Sequence, residues 1–264
     1  MLVFAGFTPH SPLLLPSINK DKIELVSHTR IAMADLAEEL YAAMPDTILL
    51  FSKHPTMYPD AFSINLADPF KFDLKEFGDL SEHRTFHPDM LLTDRVQRAL
   101  RIQKIPVTLT SDPALHYACA VPLSLLTENL PSVKLMPIAY AEGLTAKDHY
   151  NFGSALKDLI LDSNHRVAVI ASGDLSHALT SASPAGYAPE GIQFDEKIQE
   201  LITTKNSAGL LNLEDTFIAN AKQEAYLPLA MLFGILDRMA ISPRILSYES
   251  PFGVGYLVAN FQLS

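Results

Sequence analysis

Short apolar runs without polar alternation recur along this chain, and they limit its fold more than any other feature. Residues 3–7, 47–52 and 167–171 are such runs. A run of strand length that does not alternate fits a strand covered on both faces, as in parallel sheets. Between the first two runs, residues 21–43 place Ile23, Leu25, Val26, Ile31, Ala32, Leu36, Leu40 and Tyr41 at near-helical spacing. Strand, helix and strand in this order form a βαβ unit.

The same pattern continues. Helices are predicted over 89–103, 145–162, 191–203 and 224–239, with a short one starting near Pro122. Strands are predicted over 106–109, 134–140 and 166–171, and over 244–248 and 254–261, where a short turn makes an antiparallel pair. Residues 61–90 mix Asp, Phe, Gly and Pro, and read as a long loop whose aromatics cover a pocket. At 264 residues and 48% hydrophobic, the chain can bury one large core, and no linker divides it. The expectation is an α/β fold in a single domain over 1–264, with a mixed, mostly parallel central sheet and helices on both faces.

Charge and cysteine content narrow the function. Lys and Arg number 20 against 30 Asp and Glu, with no basic run, so nucleic acid is not an expected partner. No apolar stretch is long enough to cross a bilayer, and the start, with Pro9 and Pro12, does not read as a signal peptide. The single cysteine, Cys119, lies among Ala118, Ala120 and Val121 and reads as a small buried hydrophobe. A reducing cytoplasm is the expected compartment.

Three histidines stand just beyond predicted strands: His10, His54 and His177. In open α/β sheets ligands bind outside the carboxyl ends of strands, so these imidazoles can meet in one crevice. Prolines beside His10 and His54 stiffen their turns, and His177 ends the polar turn that starts at Ser172. Two imidazoles and a carboxylate on one face of a metal are the ligand set of non-haem Fe(II) oxygenases. His10 and His54 are the candidate imidazoles, and Glu224, Glu249 and Asp174 the candidate carboxylates. Tyr58, Tyr187 and Phe252 are candidate pocket walls; His28, His83, His87, His149 and His165 are expected to face solvent.

Five segments resemble one family. Thr8-Pro-His10-Ser-Pro12, Ser52-Lys-His54-Pro, Ser172-Gly-Asp-Leu-Ser-His177, Tyr187-Ala-Pro-Glu-Gly191 and Leu246-Ser-Tyr-Glu-Ser-Pro-Phe-Gly-Val-Gly-Tyr256 look like the class III extradiol ring-cleavage dioxygenases. The nearer likeness is to the branch grouped with Memo-like proteins. It spans residues 3–261, and implies that His10 and His54 bind metal and that His177 is the acid/base. Aligned on Pro228 and Gly234, the third ligand of the dioxygenases falls on Ala225, and the cysteine of Memo-like proteins on Glu224, which is taken as the ligand. His116-Tyr117-Ala118 stands where the family commonly has Asp-His-Gly, a departure that leaves His116 or Tyr117 to reach the pocket, with His116 the catalytic candidate. Asp174, Tyr58, Tyr187 and Glu249 are the expected substrate-binding residues. The resemblance implies Fe(II), a catechol-like aromatic diol and O2, and assembly into homo-oligomers. A Memo-like metal-binding protein without ring cleavage and a Zn-dependent hydrolase are the alternatives.

Overall fold

The computed structural model describes every residue except Pro55 and Glu82. Among these residues the chain runs β1 (Leu2–Thr8), α1 (Ser27–Ala42), β2 (Thr47–Ser52), β3 (Phe62–Asn65), β4 (Phe70–Phe72), β5 (Thr85–Phe86), α2 (Met90–Ile102), β6 (Val107–Thr110), β7 (Ala114–Leu115) and α3 (Tyr117–Leu126). It continues with β8 (Lys134–Ala139), α4 (Ala146–Leu161), β9 (Val167–Ser172), α5 (Pro189–Thr203), α6 (Ser207–Leu211), α7 (Asp215–Asn220), α8 (Tyr226–Ile235), β10 (Ile241–Glu249) and β11 (Tyr256–Leu263).

Eight strands form one sheet in the order β10-β11-β1-β9-β2-β8-β3-β6. Strands β1, β9, β2 and β8 are mutually parallel, β3 meets β8 antiparallel, and β11 returns antiparallel to β1. The α/β class and the mixed, mostly parallel sheet are as expected. Strand β2 shows why its sequence has no polar alternation. Leu49 and Phe51 join the core under α4, α5 and α8, whereas Ile48 and Leu50 join the core under α1 and α3. Each side of the pleat is dry, so residues 48–51 are all apolar, while Thr47 and Ser52 at the two ends are buried with their hydroxyls bonded to Asp89 and to the Ala118 carbonyl.

Four expectations are corrected. Residues 61–90 are not one loop: β3 joins the main sheet, and β4 and β5 form a small sheet with β7. Phe62, Phe70 and Phe86 are buried there as core rather than left as a cover. The helix expected from Pro122 starts a turn and a half earlier, at Tyr117, with Pro122 inside it. The helix expected from Glu224 starts at Tyr226, so Glu224 lies before its first turn. His149 is fully buried, because its Nδ1 bonds the Thr145 carbonyl at 2.7 Å and its Nε2 accepts from the Ala141 N–H at 3.3 Å.

Candidate metal centre

The central strands β1, β9 and β2 lie side by side, and the residues that follow their carboxyl ends converge on the start of α3. Ser52 Oγ and Ser172 Oγ both donate to the Ala118 carbonyl, at 2.9 and 2.8 Å. His10 Nδ1 lies 3.2 Å from Ser172 Oγ, and Cys119 Sγ donates to the Lys53 carbonyl. The turn carrying His10 is fixed from the last strand, where Tyr256 O–H donates to Ser11 Oγ at 3.0 Å. Pro55, the proline expected to stiffen the turn after His54, lies outside the described residues.

Glu224 reaches this edge through backbone pairing. The turn after β9 zips against residues 221–224: Glu224 N–H donates to the Asp174 carbonyl at 3.0 Å, His177 N–H to the Lys222 carbonyl at 3.0 Å, and Ser176 O–H to the Ala221 carbonyl at 2.7 Å. Gly173 makes the approach possible. A Cβ there would stand 2.6 Å from Ala225 Cα and 2.7 Å from the Glu224 carbonyl, closer than atoms can pack.

Glu224 Oε2 then lies 2.8 Å from His10 Nε2, and its Oε1 accepts from Lys53 Nζ. Burial opposes charge on the carboxyl, but His10 and Lys53 outweigh it and hold its pKa well below the usual range. Burial likewise opposes the His10 imidazolium; Asp174 and Glu224 outweigh it and raise the His10 pKa. Asp174 Oδ1 accepts the His10 N–H at 2.8 Å, and its Oδ2 lies 3.9 Å from His177 Nε2.

His54 differs from the rest. Its side chain is buried, and neither ring nitrogen has a hydrogen-bond partner within the described residues. Burial, reinforced by the nearby His116, pushes its pKa down to about 3. His116 is pushed down to about 4 by burial and then by His10 and Lys53. His116 caps α3, its Nδ1 accepting the Ala118 N–H at 3.2 Å, so the proton of the neutral ring sits on Nε2. Tyr117 sets its ring edge-on to His10, with centroids 5.7 Å apart.

His116 and Tyr117 line a cavity of about 320 Å³ with Asp73, Lys75 and Glu76, so one part of the segment expected to cover a pocket does stand beside these residues. A larger cavity, about 680 Å³, lies at the other end of the sheet around Asp46, Lys134 and Arg166 and holds none of the candidate groups. None of His10, His54, His177 and Glu224 lines the smaller one.

Residues 4–259 match the family described as the catalytic LigB subunit of aromatic ring-opening dioxygenase. The chain belongs to this family. It is 26% identical over 263 residues to Protein CA_C1420 of Clostridium acetobutylicum, covering 96% of this chain and 56% of that protein. The chain thus spans little more than half the length of that curated relative. In fold it resembles the crystal structure of the uncharacterized protein JW3007 from Escherichia coli K12, with TM-score 0.70, 18% identity, and 98% and 99% of the two chains covered.

Members of the LigB family typically use non-haem iron, and the donor set here suits it. A buried neutral imidazole with two unpaired nitrogens is costly in a core that gives it no partner, and it is the form that binds a metal. His10 and Glu224 add a nitrogen and an oxygen already 2.8 Å apart. Among the described residues no group of three His, Cys, Asp or Glu side chains encloses a common point as the chain stands.

Other expected site residues fall elsewhere. Glu249 Oε1 accepts the Thr29 N–H at 2.7 Å, in the first turn of α1, which removes it as a rival ligand. Tyr187 is 58% exposed and its backbone bridges Leu179. Tyr58 is half-buried and bonds no residue of the centre among the described ones; Phe252 packs with Val254 and Tyr256. Lys53 is the group that sequence reasoning passed over. Its signal was position: a lysine one residue past a doubly buried strand, next to a candidate ligand, enters the crevice. Among the described residues no helix is long and apolar enough to cross a membrane.

Proposed function

We propose that this LigB-family chain is a non-haem Fe(II) extradiol dioxygenase that opens a catechol-like ring with O2. The observation carrying this is His54: a buried imidazole whose two ring nitrogens have no partner among the described residues, next in sequence to Lys53, whose ammonium pairs with Glu224 beside His10. His10, His54 and Glu224 would hold the iron. Bound iron would supply a binding point for the diol and O2 and a path for electrons between them.

The remaining roles belong to the chain. His177, partly exposed, would accept a diol proton at a ring nitrogen and return it later in turnover. Asp174 Oδ2 stands 3.9 Å from His177 Nε2, beyond hydrogen-bond reach, while its Oδ1 fixes the His10 backbone. His116 offers its Nε2–H as a donor to a substrate oxygen. Burial, then Glu224, Asp174 and Glu76, push the Tyr117 phenol up to about 12, so it too stays a donor.

A Memo-like metal-binding protein without ring cleavage is the second reading. It is favoured by the Tyr117 ring, 4.2 Å from that of His116 and 5.7 Å from that of His10, which narrows the space beside both. Anaerobic loading with Fe(II), then oxygen and a panel of catechols, tests the choice. A yellow ring-fission product formed with matching oxygen uptake is expected. Metal uptake without product moves the assignment to the binding protein, and ester or amide cleavage with Zn(II) alone moves it to a hydrolase.

A further inference from the structure

We infer that Lys53 is a built-in competitor for the metal: its ammonium occupies Glu224 Oε1, leaves only Oε2, which faces His10 Nε2, for a metal to take, and so keeps the centre's affinity for a divalent ion low. The inference rests on the proposal that His10, His54 and Glu224 are the ligands.

Lys53 directly precedes His54, and the turn that carries both is tied to α3 through the Lys53 carbonyl and the Ser52 hydroxyl. Its ammonium is therefore not a surface charge that happens to reach inward. The side chain is 30% exposed and the Glu224 side chain 18%, so the pair sits where charges are screened much less than at the surface. Two consequences act in the same direction. A divalent ion bound at Oε2 would lie within a few ångströms of a fixed positive charge, and like charges repel strongly in such surroundings. The carboxylate is also held to one oxygen, because the other is already bonded to Lys53. Neutralising residue 53 removes the repulsion and frees the second oxygen.

The probe is Co(II), titrated calorimetrically into the intact protein. Lys53→Met is expected to bind at least tenfold more tightly than wild type, and Lys53→Arg, which keeps the charge, within about threefold of it. Glu224→Gln and His54→Leu are expected to weaken binding at least tenfold. Lys53→Met binding equally or more weakly, while Glu224→Gln and His54→Leu still lose affinity, would overturn the competitor role and leave the metal site standing. Equal binding by wild type, Glu224→Gln and His54→Leu, or no binding by any variant, would overturn the site and the inference together. Circular dichroism shows whether each variant is folded, and a Lys53→Met chain that fails is replaced by Lys53→Gln, read against the same thresholds.

Discussion

Asp195 gives the sharpest quantitative prediction. It sits on α5 with 1% of its surface exposed, and its carboxyl accepts the Ser176 N–H and the Tyr248 O–H, each at 2.8 Å. Gly255 leaves room for it, since a Cβ there would stand 2.0 Å from Asp195 Oδ2. Burial pushes its pKa up from 3.8 to about 7, against the two hydrogen bonds. For an acid whose pKa is raised by folding, the folded state holds the proton more tightly than the unfolded one. Its contribution is therefore most favourable below pH 3.8, falls as pH rises toward about 7, and is flat above. At about 1.4 kcal/mol per unit, between pH 5 and pH 8 the folded protein should lose roughly 2–3 kcal/mol through this group. Asp195→Asn keeps both contacts, with its oxygen accepting from Ser176 and its amide donating to Tyr248, but does not titrate. Urea unfolding followed by circular dichroism at both pH values measures the difference. The variant should show a pH loss smaller than wild type by that amount. Parallel losses in the two proteins would refute the argument.

Three further outcomes follow from the centre. His54→Leu should stabilise the metal-free protein by about 1–3 kcal/mol, since it replaces an unpartnered buried imidazole with an apolar group, and a lower Tm than wild type would count against the reading of His54 as a site residue. His177→Ala should keep metal and lose about 10²- to 10⁴-fold in turnover with a catechol, and wild-type rates would remove His177 from the mechanism. Gly173→Ala forces the turn away from Glu224 and Ala225, so it should weaken Co(II) binding at least several-fold as well as lower Tm; unchanged binding would show that the close approach does not place Glu224.

Much of this was legible in the sequence, and the parts that were not share a cause. The core strands announce themselves because both faces are dry and successive residues report it, as in residues 48–51 of β2. Helix α4 is marked by its own cap, where Thr145 and Asp148 bond each other's backbone. Strands β4, β5 and β7, of three, two and two residues, have no such local signature; they exist through their pairing with one another. His149 read as a solvent-facing helix residue because its bond to Thr145 is invisible without coordinates. In the centre, strand ends point to His10, His54 and His177 as candidates, but spacing does not choose among Glu224, Glu249 and Asp174. The choice depends on backbone pairing between residues 174–177 and 221–224, and on Glu249 being taken by Thr29. Lys53 drew no reading because its partner lies 171 positions away.

Iron content tests the central claim most directly. Protein loaded with Fe(II) without oxygen, desalted and subjected to elemental analysis should retain about one iron per chain, as expected for a mononuclear centre. His10→Ala, His54→Leu and Glu224→Gln, each folded by circular dichroism, should retain little. Undiminished iron in the three variants, or none in wild type, would contradict a metal centre built from these residues.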